Sequence, residues 1–213
     1  MSDVLLVLLV GIGGYLIGAF PTGVVVTRLW GAHDVRQAGS GHSGTTNTYR
    51  QAGLLAAVLV FAVDLVKGLI AIWLGMVLTG YQAWVIPVAG AAAVLGHCWP
   101  VYAGCRGGMG VSTAGGIFLW VLPGGVVVFT AIWLAARALL RHFLKGAYRS
   151  PQGVIVGLAL GAPIALLFWS PPLPATAYTI AAVVILLVRH ASQIAPVKVI
   201  ESQSQAPKLK NTN

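Results

Sequence analysis

Residues 4–27, 53–79, 83–103, 153–169 and 173–189 are long, nearly unbroken runs of hydrocarbon side chains. A helix of about 20 such residues rises ~30 Å, the depth of a bilayer's hydrocarbon core. No water reaches that depth, so backbone N–H and C=O groups must bond within their own segment. The chain is therefore expected to be an all-α integral membrane protein. Its charged fraction of 8% is roughly a third of that of a soluble domain, which excludes a soluble fold. Thirteen Lys and Arg against four Asp and Glu give a net charge of +9. Basic residues beside spans face the anionic cytoplasmic leaflet, and no aromatic residues interleave with them on a polar surface, which argues against nucleic acid as a partner.

The stretch 111–140 sets the topology. Read as one helix, it gives six spans and puts Arg137, Arg141, Lys145 and Arg149 opposite Arg28, Arg36 and Arg50, against the preference of basic residues for one side. Broken at Leu122-Pro123-Gly124-Gly125, where proline and glycine interrupt helices, it gives about seven transmembrane helices. The N-terminus is then outside and the C-terminus cytoplasmic. Residues 28–50, 104–110, 137–152 and those from Arg189 onward lie inside. A helix over 111–122 spans only ~18 Å, so the loop before it is expected to lie sunken in a polar cavity. Met1-Ser2-Asp3 lacks a basic leader, and the first span is read as retained. Residues 1–202 form one polytopic domain, followed by a disordered basic tail over 203–213. Cys98 and Cys105 are too few for a metal site and are read as packing residues.

Two glycine-rich polar islands interrupt the hydrocarbon. The first runs from Gly39 to Asn47, with Arg36 before it and Arg50 after it; the second runs from Gly104 to Thr113. Glycine lets a backbone turn its N–H groups toward an anion, and hydroxyls and guanidinium groups complete a phosphate cradle. In the first island Gly41, Gly44, Ser40, Ser43, Thr45, Thr46 and Asn47 supply that chemistry, with the cations Arg36 and Arg50. Its composition also suits a plain connecting loop. In the second, Arg106, Gly107, Gly108 and Gly110 precede Ser112 and Thr113 at a helix N-terminus, where the dipole favours anions. Asp64 and Lys67 share one face of a span and pair with each other, either as part of a site or as a packing device. His97 is read either as a hydrogen-bonded structural residue or as a base. No covalent nucleophile, metal cluster or cofactor motif is evident, so an enzyme built this way works by orientation and charge neutralisation on an already activated donor.

These residues resemble the acyl-phosphate-dependent glycerol-3-phosphate acyltransferases of bacteria, the PlsY family, over about residues 11 to 194. The family pattern R-x-x-G-S-G-N-x-G-A-T-N-x-x-R is similar to Arg36 through Arg50. D-x-x-K-G is similar to Asp64 through Gly68, and G-H-x-x-P followed by K-G-G-K-G-V-A-T is similar to Gly96–Pro100 and Arg106–Thr113. The resemblance implies seven membrane helices, an active site on the cytoplasmic face of the inner membrane, and transfer of an acyl chain from acyl phosphate to the first hydroxyl of glycerol 3-phosphate. Lysophosphatidic acid for phospholipid biosynthesis is the product, and the substrate's own phosphate serves as base. No metal or organic cofactor is implied.

The resemblance further implies Ser40, Arg50 and His190 as the catalytic set. It also implies that Gly107, Gly108 and Gly110 hold a substrate phosphate; further phosphate and substrate contacts are expected, from residue chemistry and position, at Arg36, Gly41, Gly44, Thr46, Asn47, Lys67, His97, Arg106, Ser112, Thr113 and Gln193. The chain departs from the pattern at Met109, where the family has its second loop lysine. His42 and Gln193 replace asparagines, and Pro196 and Ile200 interrupt the closing motif before Glu201. Two rivals follow from these departures: an acyltransferase with another acceptor, and a non-catalytic binding or transport paralogue.

Overall fold

Proline and glycine decide where each apolar run becomes a helix. The computed structural model describes residues 2–31, 33–144 and 150–194, all helix and connection. Helix α1 (Asp3–Gly18) starts where the Ser2 hydroxyl accepts the Leu5 N–H at 3.4 Å. The run expected as one span over 4–27 breaks at Phe20-Pro21, because proline lacks an N–H and disfavours helix in the residue before it. It resumes as α2 (Thr22–Leu29). Helix α3 (Thr45–Thr79) begins eight residues earlier than the expected start at 53. Two polar turns, seeded from Gly44, are joined to the apolar span across Gly53, whose φ of +82° kinks the helix. Helix α4 (Val85–Cys98) stops short of the expected residue 103; Pro100 follows, and Val101–Ala103 forms a single 3-10 turn.

The expected break at Leu122-Pro123 is present. Leu122 is non-helical and separates α5 (Val111–Val121) from α6 (Pro123–Leu144), with Pro123 opening the second helix. Helices α7 (Ser150–Trp169) and α8 (Leu173–Ala191) complete the described elements. Six segments are long and apolar enough to cross a membrane, and α5 is a seventh, shorter apolar helix, ~16 Å long. The expected seven spans thus resolve into six segments long enough to cross and one short helix. The tail over 203–213, the end of the domain at 202, and Lys145, Arg149, Pro196, Ile200 and Glu201 lie outside the described residues.

Small residues set the helix contacts, as they do where lipid offers no hydrophobic drive between helices. A Cβ on Gly18 would run into the Ala93 backbone and one on Gly96 into the Tyr15 carbonyl, so α1 and α4 approach backbone to backbone. Gly116 of α5 lies in the same way on the Leu65 carbonyl of α3. Val10, Ile72, Val85, Ala89, Ile117, Tyr178 and Ala182 close the core where five helices meet. The buried Tyr178 hydroxyl donates to the Ala114 carbonyl at 3.1 Å, tying α8 to α5. Helices α3, α5, α6, α7 and α8 together line an apolar cavity of about 400 Å³.

Candidate functional site

Asn47 organises the first island. Its Nδ2 donates to the carbonyls of Val35, Ala38 and His42 at 2.7, 3.1 and 2.9 Å, and its Oδ1 accepts the Ser40 N–H at 3.1 Å. Gln51 adds donations to Val35 and Ala38 at 2.7 and 3.0 Å. Gly39 and Gly41 take φ values of +66° and +72°, which the wrap around Asn47 requires. Asn47 is buried and its polar atoms are spent on the loop, so it shapes the cradle rather than presenting a free amide. The Ser40 hydroxyl, Thr46 and Arg50 are exposed, without hydrogen-bond or ion-pair partners among the described residues.

Arg36 ties the flanks of the two islands. It pairs with Asp34 through Nε and Nη2 at 2.9 and 2.7 Å, and its Nη1 donates to the Ala103 carbonyl at 2.6 Å. The Arg36 hydrogen bond holds the Asp34 carboxyl down at about 2, and Asp34 in turn raises the Arg36 value. The pair is largely enclosed, with side-chain exposures of 19% and 10%, so its hydrogen bonds are sheltered from competing water. His42 donates Nδ1–H to the Ser40 carbonyl at 2.7 Å. Burial pushes its pKa below the ordinary histidine value; the bond to Ser40 opposes this, and the nearby charge of Arg189 adds to it. A neutral His42 does not supply the cation missing at Met109.

The second island folds back onto the end of α4. The Gly108 N–H donates to the His97 carbonyl at 3.1 Å, and a Cβ on Gly108 would strike the His97 imidazole. Gly107 is pressed on the His97 and Cys98 carbonyls, and Gly110 (φ +84°) on Leu186 and Cys98. The opposite edge of the loop faces Arg189, which donates to the Gly108 and Gly107 carbonyls at 3.0 and 3.2 Å and stacks over Trp99 at 5.4 Å. Sequence reasoning did not single out Arg189 as a site residue. Its partners lie 81 and 82 positions away, and no local pattern announces them. Arg106 is exposed and unpaired among the described residues. Ser112 lines the apolar cavity, whereas the Thr113 hydroxyl is fully buried without a partner among the described residues.

Beneath the loop, Lys67 Nζ meets Asp64 Oδ1 at 2.9 Å and the Phe20 carbonyl at 3.3 Å, and His97 Nδ1 lies 3.5 Å from the same carboxylate oxygen. All three are buried. The expected Asp64–Lys67 pairing is present, and it brings in His97, the residue against which Gly108 packs. His190 is buried at the end of α8, its Nδ1 2.8 Å from the Leu186 carbonyl. A carbonyl only accepts, so Nδ1 carries the proton and a neutral ring keeps its lone pair on Nε2. Gln193 donates to Ser192 at 3.2 Å and is partly exposed. Cys98 packs in the core as expected; Cys105 does not, standing exposed on the loop at a φ of +58°.

The chain matches known proteins along nearly its whole length. Residues 8–198 match the family described as glycerol-3-phosphate acyltransferase. Relatives of that name include one from Rubrobacter xylanophilus, 39% identical over 191 residues, covering 89% of this chain and 88% of the relative. Another, from Syntrophotalea carbinolica, is 41% identical over 185 residues, covering 86% and 89%. Among solved structures, the glycerol 3-phosphate form of PlsY (YgiH), an integral membrane glycerol 3-phosphate acyltransferase, superposes with a TM-score of 0.70 at 32% identity, covering 88% of this chain and 90% of that one. Its lysophosphatidic acid form gives the same TM-score at 31% identity, covering 88% and 89%. With sequence and backbone agreeing from the first helix to the last, this chain belongs to the glycerol-3-phosphate acyltransferase family.

Proposed function

We propose that the protein transfers an acyl chain from acyl phosphate to the 1-hydroxyl of glycerol 3-phosphate at the cytoplasmic face of a bacterial inner membrane. One observation carries the reading: Arg36, just before the first island, bonds the carbonyl of Ala103, just before the second, and Ser112 of the second island lines the apolar cavity. Cations over hydrocarbon are complementary to an amphiphile with a phosphate head. The hydroxyl oxygen attacks the acyl carbonyl carbon, the carbonyl carbon–phosphate oxygen bond breaks, and inorganic phosphate leaves. A phosphate oxygen of the acceptor takes the hydroxyl proton.

In this mechanism the unpaired cations Arg50 and Arg106 and the Ser40 hydroxyl bind substrate oxygens. The N–H groups of the first turn of α5, which have no partner within the helix, add their positive end. His190 Nε2 accepts from the 2-hydroxyl of the glycerol and so orients the acceptor, leaving the proton of the attacking 1-hydroxyl to the phosphate, while Gly107, Gly108 and Gly110 hold the loop close enough for its backbone to line the site. Catalysis then rests on placement and charge rather than on a covalent intermediate. The test is purified protein in lipid, given acyl phosphate and glycerol 3-phosphate, with lysophosphatidic acid measured by mass spectrometry. Product formation supports the reading; none, where a known relative makes it, overturns it. Met109 favours a second reading, an altered acceptor, which the same assay with other polyol phosphates distinguishes.

A further inference from the structure

The cavity lined by α3, α5, α6, α7 and α8 offers few polar groups. Of its hydroxyls, Thr130 and Thr179 donate to the Val126 and Ala175 carbonyls one turn back, at 2.7 and 2.8 Å, and are spent. The Ser112 hydroxyl makes no hydrogen bond among the described residues, and the Trp133 indole N–H is buried without an acceptor. Both belong to the end beneath the second island. Ser112 lies in the first turn of α5, and Trp133 packs in a cluster with Leu158 and Leu186, the latter also touching the Gly110 position. Farther along α5, the lining includes Leu122, Gly125 and Ala165, all buried and so close that a Cβ on Gly125 would lie 2.9 Å from Leu122 and 3.2 Å from Ala165. From Ser112 to Leu122 the helix rises ~15 Å, half of the ~30 Å hydrocarbon core and so the depth of one leaflet.

We infer that this cavity gauges the length of the acyl chain, with Ser112 and Trp133 holding the acyl carbonyl at one end and Leu122, Gly125 and Ala165 stopping the terminal methyl at the other. The inference rests on the acyl-transfer reading above and adds which chains are accepted. An unpaired N–H in hydrocarbon is costly, and an occupant with one oxygen at that level and methylenes beyond it removes the cost. Chains up to one leaflet deep fit, and each further methylene has to displace packed side chains around Leu122, Gly125 and Ala165.

Two measurements test it. Ala165→Leu is expected to cut turnover of the longest acyl phosphate about tenfold relative to the shortest, while Leu122→Ala moves the length limit upward. Trp133→Phe keeps the ring and removes the donor; it raises KM for acyl phosphate at every length and leaves KM for glycerol 3-phosphate unchanged. Equal scaling of all lengths in both length variants, with unchanged thermal unfolding, overturns the gauge. The second measurement needs no turnover and no variant: an acyl phosphonate carrying a diazirine at its terminal carbon is photolysed with the unmodified protein in lipid. Labels on Leu122, Gly125 or Ala165 support the gauge, and labels confined to other residues overturn it. Labels at those residues with no lysophosphatidic acid formed from any chain length would remove the proposed reaction while leaving the gauge standing.

Discussion

Asp34 and Arg36 form a strut that is weakened only by removing one of its charges. Arg36→Ala deletes three charge-assisted hydrogen bonds, the one reaching Ala103 included. A hydrogen bond to a charged group contributes about 1.5–3 kcal/mol to stability, so the variant is expected to unfold at a lower temperature in detergent and to turn over more slowly in a steady-state assay. Asp34 is depressed from 3.8 to about 2, so its contribution is complete above the ordinary carboxyl value and disappears as pH falls through about 2. Thermal unfolding in detergent should show this acid slope, and Asp34→Asn should abolish it. His42 has a lowered value, so it stays neutral when pH is taken down to the usual histidine range. Acidification there should not lower KM for glycerol 3-phosphate, whereas Met109→Lys should lower it by restoring a loop cation. Gly108→Ala puts a methyl into the His97 ring and should abolish turnover in a protein that still purifies as folded.

At the scale of elements, the small-residue contacts between helices carry the stability. Gly18→Leu would drive a side chain into the Ala93 backbone, and strain from overpacking costs about 1–3 kcal/mol. A clear drop in the unfolding temperature is expected, against little change for the open position Gly13, where an added Cβ meets nothing. The break between α5 and α6 was legible because proline and two glycines coincide there. The equally real break at Pro21 was not, because hydropathy continues across it and the residues on both sides are apolar. The first two turns of α3 are not legible as helix, because Thr45 to Gln51 are polar. What makes them helical is tertiary: Asn47 and Gln51 bond the loop they follow. For the same reason the role of Arg189 was hidden, as it depends on loop carbonyls that only the packing of α8 beside α4 brings near.

For the whole molecule, the distribution of basic residues implies that both islands face one side, and the Arg36–Ala103 bond requires it. Single cysteines at Ser40 and Arg106, in a background where Cys105 is replaced, should react with an impermeant maleimide in inverted vesicles and not in intact cells; opposite labelling of the two would break the proposed site. Motif and spacing made the family legible, but they left open which motif residues meet substrate and which, like Asn47, Asp64 and His97, are enclosed and hold others. The short α5 has a further consequence. A helix ~16 Å long cannot match a hydrophobic core of ~30 Å, so lipid around it must thin or polar groups must follow it inward. Reaction rate is therefore expected to depend on membrane thickness. Reconstitution in phospholipids of increasing chain length should slow turnover as the sheet thickens, while the same protein in detergent shows no such trend.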